Sequence, residues 1–182
     1  MSFLQRDGDA AVPERPSGPG GGVRLVKAGQ GPTVWLNGDV YTVKVGAEGT
    51  QGDLALLEAT VPPGGGPPLH NHTHEDEAFY LLSGELDMYA DDAAYEVRSG
   101  DFVFVPRGIY HRFRNTGLHP ARLLAMFTPG GFERLFLEAG REARPGEPVP
   151  PFDPADNPRA KEIGERYGSF QAPDGASDGA PE

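Results

Sequence analysis

The sequence predicts an all-β domain that is closed by short helices at its C-terminal end. Three observations predict this class. Short runs rich in β-branched and aromatic residues recur between residues 33 and 128, and turn sequences separate them. Helical periodicity appears only after Gly131. Strands at this spacing, with turns between them, favour a sandwich or barrel over a parallel sheet.

The first predicted element is a hairpin in the segment TVWLNGDVYTVKV. Asn37-Gly38 lies between two β-rich flanks, which is a strong hairpin signal. Tyr41, Val43 and Val45 alternate with polar residues, so we expect them to face the interior. The next run, DLALLEATV, is continuously apolar, and its two faces cannot be distinguished by periodicity.

Further strands and then two helices follow along the chain. The strands are predicted in EAFYLL, ELDMYA, AYEVR, DFVFV, HRFRN and ARLLAMF. In GFERLFLEAGRE the apolar residues fall on one helical face, formed by Phe132, Leu135, Phe136 and Ala139. The segment NPRAKEIGERYG predicts a second short helix, with Pro158 near its start. We expect these helices to cap one mouth of the barrel.

Composition divides the chain into four parts. Residues 1–22 and 171–182 are rich in Gly and Pro and poor in apolar residues, so they are predicted to be a disordered arm and a disordered tail. Residues 23–130 then form the β-barrel, and residues 131–170 form the helical cap.

Charge and residue usage exclude several classes of function. With 16 basic and 27 acidic residues the formal net charge is −11, which disfavours nucleic acid and membrane surfaces as partners. The absence of cysteine removes disulfides, thiolate metal sites and cysteine nucleophiles. The N-terminal segment does not resemble a secretory signal, so a cytoplasmic location is expected.

Three histidines and one glutamate form a candidate metal site. In a strand, residues two apart point to the same face, so His70 and His72 can converge on the interior. Glu77 begins the inward set of the next strand, and His111 opens a strand directly after a Pro-x-Gly turn. Imidazole and carboxylate donors suit one divalent ion per chain, of Mn, Fe, Co, Ni, Cu or Zn.

These residues resemble both sequence motifs of the cupin superfamily. The motif positions are Gly64, His70, His72, Glu77 and Gly84, followed by Gly100, Pro106, Gly108, His111 and Asn115. The resemblance implies that the metal ligands are His70, His72, Glu77 and His111. It also implies a jelly-roll barrel (double-stranded β-helix) of six to eight strands with the metal inside.

A narrower resemblance covers roughly residues 34–168. The segments PPGGGPPLHNHTHEDEAFYLLSGEL, GDFVFVPRGIYHRFRNTG and PGGFERLFLEAG look like those of single-domain cupins of the quercetin 2,3-dioxygenase-like group. This implies a metal-dependent dioxygenase that acts on an aromatic or enol-containing small molecule.

Several polar residues around the motif have two interpretations. His74 is either an exposed turn residue or a contact to the ligands or substrate. Glu75 and Asp76 are interpreted as solvated turn carboxylates. Glu58 is a candidate for a buried carboxylate that orients a ligand imidazole, although the facing of its strand is undecided.

Aromatic residues are candidates for contacting the substrate. Phe79 and Phe113 are the best of these, because each lies two residues beyond a ligand on the same strand face. Phe132 and Tyr41 are further candidates. The alternative interpretation for all four is core packing.

Three functions are compatible with the site that the sequence predicts. The first is a dioxygenase in which Glu77 is the catalytic base and dioxygen is the second substrate. The second is a non-oxidative cyclase, isomerase or decarboxylase of a polyketide-like compound, with the metal as Lewis acid. The third is a small-molecule-binding module without turnover. A homodimer is expected, because small barrels have edge strands to cover.

Overall fold

The computed structural model describes residues 22–91 and 93–173. Within them the chain forms twelve strands and three short helices. The strands are β1 (Thr33–Leu36), β2 (Asp39–Val45), β3 (Ala55–Val61), β4 (His70–His72), β5 (Asp76–Ser83), β6 (Glu85–Ala90), β7 (Ala93–Arg98), β8 (Phe102–Val105), β9 (His111–Arg114), β10 (Ala121–Thr128), β11 (Arg141–Glu142) and β12 (Ser169–Gln171). The helices are α1 (Ala47–Thr50), α2 (Glu133–Ala139) and α3 (Asn157–Arg166), and a 3-10 turn covers Pro154–Asp156.

The strands form two antiparallel sheets that face each other across the core. One sheet has seven strands in the order β11-β1-β2-β3-β10-β5-β8, and the other has five in the order β12-β4-β9-β6-β7. This confirms the all-β jelly-roll prediction. The described residues contain twelve strands, more than the expected six to eight, and two of the additional strands are short edge strands from the C-terminal segment, β11 beside β1 and β12 beside β4.

The first hairpin has the predicted turn. Asn37 and Gly38 both have positive φ (55° and 85°), as a two-residue type I′ turn requires. Tyr41 and Val43 are buried as expected, but the prediction for Val45 is wrong. The pairing register with β3 shifts between Val43 and Val45, and this irregularity leaves Val45 only partly buried.

The inner faces of both sheets supply the core. In β3 the residues Ala55, Leu57, Ala59 and Val61 are fully buried, which assigns the face that the sequence left open. Phe127, Leu81, Leu123 and Met88 are among the largest buried side chains. Alternating residues of these strands therefore point outward, Glu58 included.

The predicted C-terminal cap packs onto one end of the barrel. Phe136 of α2 lies against Tyr41 with ring centroids 4.6 Å apart. The buried Glu133 carboxylate accepts hydrogen bonds from the backbone N–H of Ala47 (2.9 Å) and of Gly131 (2.7 Å). Arg159 of α3 donates to the carbonyl of Ala139 at 2.9 Å and so joins the two helices. The cap is thus fixed to the barrel by apolar and polar contacts.

Parts of the two predicted terminal segments lie within the described residues. The predicted N-terminal arm consists of residues 1–22. Residues 1–21 lie outside the described residues, and Gly22 is the first residue that the structure describes. Strand β12 pairs with β4 up to Gln171↔His70, so regular pairing crosses the boundary predicted at residue 170. The remainder of the predicted tail, 174–182, lies outside the described residues. In the described part of the chain, no helix is both long enough and apolar enough to cross a membrane.

Candidate metal centre

Two neighbouring strands of one sheet and one strand of the facing sheet bring the predicted ligands together. His70 and His72 lie on β4, Glu77 begins the inward face of β5, and His111 begins β9. His70 and His111 are direct partners in the β4–β9 pairing. One donor atom from each of the four side chains lies within 4.8 Å of every other. His72, Glu77 and His111 are buried, and His70 is partly buried.

The Pro-x-Gly turn fixes the position of His111 beside β4. Gly108 has a φ of 87°, which an L side chain rarely adopts, and its backbone N–H donates to the carbonyl of His72 at 2.7 Å. Asn115, at the end of the second motif, is buried and donates to the carbonyls of Val61 and His119, each at 2.8 Å. The second motif therefore supplies one ligand, and its Gly108 and Asn115 also fix the connections between strands by hydrogen bonds.

The Nδ1 atom of each of the three cluster histidines lies close to an oxygen atom, and for His70 and His111 this contact is a hydrogen bond. His70 Nδ1 lies 2.9 Å from the Pro68 carbonyl oxygen, and His111 Nδ1 lies 3.0 Å from that of Ile109. His72 Nδ1 lies 3.2 Å from Glu75 Oε1. Because a carbonyl oxygen can only accept, His70 and His111 donate their Nδ1–H in these contacts, and Nε2 of each ring is the atom that would face an ion.

The Nε2 atoms converge on the carboxylate of the cluster. Glu77 Oε2 lies 3.0 Å from His72 Nε2 and 2.8 Å from His111 Nε2. Burial would raise the pKa of Glu77, but His72 and His111 outweigh burial and hold the pKa below its ordinary value. Burial, with His111 and His72 nearby, lowers the pKa of His70 to about 3. An ionised carboxylate among imidazole donors is a set that divalent transition metals accept, so the residues present fit such an ion.

Glu75 corrects the sequence interpretation. It was expected to be a solvated turn carboxylate, but it is only 4 % exposed and lies beside His72. Burial would lower the pKa of His72, whereas Glu77 and Glu75 raise it above its ordinary value.

The other ambiguous polar residues lie away from the cluster. Glu58 was a candidate for orienting a ligand, and this is wrong: it lies on the outer face and forms ion pairs with Arg122 and Lys44. Asp76 is partly buried and accepts hydrogen bonds from Arg107 N–H (2.9 Å) and Nε–H (3.0 Å). His74 is exposed, in agreement with its interpretation as a turn residue.

A largely apolar cavity of about 90 Å³ adjoins the cluster. His70 and Glu77 line it, and so do all four predicted substrate-contacting residues, Tyr41, Phe79, Phe113 and Phe132. Phe79 and Phe113 meet edge to face at 5.7 Å, and the Phe132 ring lies 4.3 Å from that of His72. Helices α2 and α3 close the cavity from the cap side, with Phe136, Lys161 and Gly164.

Behind the cavity wall lies a polar pair that the sequence analysis missed. The Tyr41 hydroxyl donates to Asp39 Oδ2 at 3.0 Å, and Asp39 is fully buried. Burial, partly offset by this hydrogen bond, raises the pKa of Asp39 to about 7. Asp39 and Tyr41 are two residues apart on one strand, so alternation could have placed both inside.

Comparison with known proteins agrees with this fold. Residues 57–127 match the cupin domain family. The barrel resembles the crystal structure of a predicted oxalate decarboxylase from Thermotoga maritima, with a TM-score of 0.56 and 21 % identity over 58 % of this chain and 99 % of the other. Residues 57–127 therefore match a cupin domain, and the barrel has the cupin fold.

Two sequence relatives match over only part of their length. Quercetin 2,3-dioxygenase of Bacillus subtilis is 27 % identical over 123 residues, which are 67 % of this chain and 36 % of that protein. Polyketide synthase CurC of Streptomyces cyaneus is 32 % identical over 96 residues, 50 % of this chain and 60 % of that protein. The chain thus spans less than two thirds of the length of either relative.

Proposed function

We propose that the protein is a metal-dependent enzyme that acts on a small aromatic or enol-containing compound, with a dioxygenase as the leading reaction. One observation carries this proposal. The cluster of three histidines and one glutamate opens directly onto an apolar cavity, because His70 and Glu77 belong both to the cluster and to the cavity wall.

His70, His72, Glu77 and His111 would hold the ion. A divalent ion at this position would supply a Lewis acid that lowers the pKa of a hydroxyl bound next to it. Glu77 is the proton acceptor in this proposal, because its carboxylate is ionised and in the cavity wall. The apolar surroundings strengthen each charge interaction at the site by excluding water.

The aromatic walls would orient the substrate. Phe79 and Phe113 lie on the same strand faces as Glu77 and His111, so a flat ring resting on them places its oxygen substituents toward the cluster. Edge-to-face and stacked aromatic contacts contribute about 0.5–1.5 kcal/mol each beyond the burial of area. The similarity to a quercetin 2,3-dioxygenase supports this choice of substrate class.

A second candidate is a non-oxidative cyclase, isomerase or decarboxylase of a polyketide-like compound. The similarity to the polyketide synthase relative favours it. The same four ligands and the same base would serve, so the two candidates differ only in whether dioxygen is consumed.

Oxygen uptake separates these candidates. The protein is loaded in turn with Fe, Mn, Co, Ni, Cu and Zn, and is given a flavonol or simple 1,2- and 1,3-dicarbonyl compounds. A dioxygenase consumes one dioxygen per substrate, and Glu77→Gln lowers turnover more than metal occupancy, because an amide oxygen still coordinates but accepts no proton. Substrate loss at the same rate without oxygen supports the second candidate. Binding without conversion under every metal contradicts both and indicates a binding module.

A further inference from the structure

The C-terminal segment adds polar side chains to the wall of the cavity. Strand β12 pairs with the ligand strand β4, and in this pairing Gln171 is directly opposite His70. Residues opposite each other in an antiparallel pair have their side chains on the same face of the sheet. Gln171 and His70 accordingly both line the cavity. The segment that follows the barrel therefore reaches the wall of the candidate site itself.

One face of helix α3 continues this wall. Lys161 and Gly164 line the cavity, and residues three or four apart lie on the same side of a helix. The helix lies close to β12, because a Cβ atom at Gly164 would be 3.4 Å from the carbonyl oxygen of Ser169. At the start of the helix, Asn157 Oδ1 accepts a hydrogen bond from Gln171 Nε2 at 3.1 Å. Lys161 is thus held on the cavity side of a helix that is fixed to the strand beside β4.

Lys161 differs from the other two cations of α3, which both have partners on α2. Arg159 donates to the backbone carbonyls of Ala139 (2.9 Å) and Glu138 (2.8 Å), and Arg166 pairs with the Glu138 carboxylate. Within the described residues, the Lys161 ammonium group has no hydrogen bond and no ion pair. Lys161 is therefore the cation of this helix that is available to a ligand.

The acidic residues near Lys161 do not neutralise it. Glu162 and Glu165 follow it on α3, but neither belongs to the described wall of the cavity. The acidic and basic side chains in that wall are Glu77 and Lys161. Glu77 belongs to the metal cluster, so Lys161 is the charge that a ligand meets outside the cluster. The net charge of −11 opposes an anionic ligand only weakly here, because salt screens charges more than about 8 Å away.

Lys161 lies at the opening of the cavity. It is exposed, whereas the cavity-lining rings of Phe79 and Phe113 are buried. Asn37 of the hairpin turn also lines the cavity, and it shares a neighbouring cavity of about 50 Å³ with Ala160, the residue before Lys161. The hairpin turn and α3 therefore flank one opening. From the inside outward, the cavity consists of the metal cluster, an apolar middle and an opening that carries an ammonium group and an amide.

We propose that Lys161 binds a carboxylate of the substrate at the opening of the cavity. This inference rests on the proposed function and narrows its substrate class to an aromatic or enol-containing carboxylic acid. The acid group is at one end of that molecule, and the oxygen atoms that face the metal cluster are at the other. A single ammonium group balances the one charge of a carboxylate, whereas a phosphate group carries nearly two.

Binding of matched acids and esters to the zinc-loaded protein tests this inference. Zinc is redox-inactive, so it leaves the ligands unchanged during the measurement. Calorimetry compares protocatechuate and caffeate, two catechols that carry a carboxylate at the far end, with their uncharged methyl esters. At least one acid is expected to bind roughly 5-fold more tightly than its ester, the effect of one partly exposed ion pair. Protein that contains zinc but binds neither acid more tightly than its ester overturns the inference.

Three variants assign the preference to one side chain. Lys161→Met removes the charge but keeps a long side chain, so it is expected to bind acid and ester equally. Lys161→Arg keeps the charge and is expected to keep the preference. Lys27→Met is the matched control, because Lys27 is exposed and lies outside the described cavity wall. An acid preference that survives in Lys161→Met, or is lost equally in Lys27→Met, overturns the inference.

The result does not depend on whether the protein consumes dioxygen. An acid preference that requires Lys161 supports the inference even if no compound is converted, and in that case only the proposed reaction fails. Conversion of acids and esters with equal kcat/KM in the wild type supports the proposed enzyme and overturns the role of Lys161.

Discussion

Glu75 Oε1 lies 3.2 Å from His72 Nδ1, deep in the barrel wall. The other two histidines of the cluster place Nδ1 against backbone carbonyls. His72 is therefore the histidine of this cluster whose outer nitrogen meets a carboxylate. The two atoms are at ion-pair distance without hydrogen-bond geometry, and a small rotation of either side chain would form the bond that orients a ligand imidazole and strengthens Nε2 as a donor to a metal.

Glu75→Gln should weaken metal binding about 10- to 100-fold, the usual effect of losing such a partner. Competition with a chromophoric chelator measures the affinity, and the visible spectrum of the cobalt-loaded protein reports the ligand field. Asp76→Asn is the matched control, because Asp76 is the next residue and pairs with Arg107 away from the cluster. Equal metal affinity in wild type and Glu75→Gln would show that Glu75 does not support the site.

Asp39 should make stability depend on pH. Its pKa is about 7 in the folded chain against 3.8 for the unfolded residue, so the folded state binds the extra proton between these values. The free energy of unfolding therefore falls as pH rises from about 4 to 7, by up to about 4 kcal/mol. Asp39→Asn removes this fall and is more stable than wild type at pH 8.

Denaturation by urea at several pH values checks this, with both proteins free of metal. Asp101→Asn, at an exposed position, controls for the loss of one charge. Parallel pH curves for wild type and Asp39→Asn would contradict the expectation.

The cap should stabilise the barrel through Phe136. Its ring is buried against Tyr41 and Phe127, so Phe136→Ala is expected to cost about 3–5 kcal/mol of unfolding free energy. Leu137 is the next residue on α2 and is 41 % exposed, so Leu137→Ala should cost under about 1 kcal/mol. Truncation after Gly130 should give insoluble or much less stable protein. A soluble, stable truncated chain would show that the barrel does not need its cap.

Substitutions in the cavity wall should weaken substrate binding without removing the metal. Phe79→Leu and Phe113→Leu are expected to raise KM roughly 3- to 10-fold, in line with the loss of one aromatic contact. Metal content measured on the same samples should stay near that of wild type. Phe170→Leu, on the exposed side of β12, is the control. Loss of metal from the two cavity variants would instead assign these rings to supporting the ligands.

The sequence predicts the hairpin from a local rule, whereas it predicts the full ligand cluster through the resemblance of two motifs, because Glu77 and His111 lie on other strands than His70 and His72. A type I′ turn needs Asn37-Gly38, and strand alternation brings His70 and His72 to one face. Strand alternation could not orient DLALLEATV, since Leu56 lies on the outer side of β3 and makes both sides of the strand apolar. Glu75 was misjudged because the path of the turn after His72, and not its composition, decides its burial. Strands β11 and β12 escape prediction because only pairing with distant strands defines them.

Metal content is the most direct test of the central claim that the four residues hold one ion. Elemental analysis of wild type, purified without chelators, should find about one divalent transition metal per chain, and His111→Ala should lose most of it while staying folded. His74→Ala, which changes an exposed histidine in the turn beside the ligands, should retain the wild-type content. A wild type that contains no metal, and takes up none when it is offered, would contradict the account.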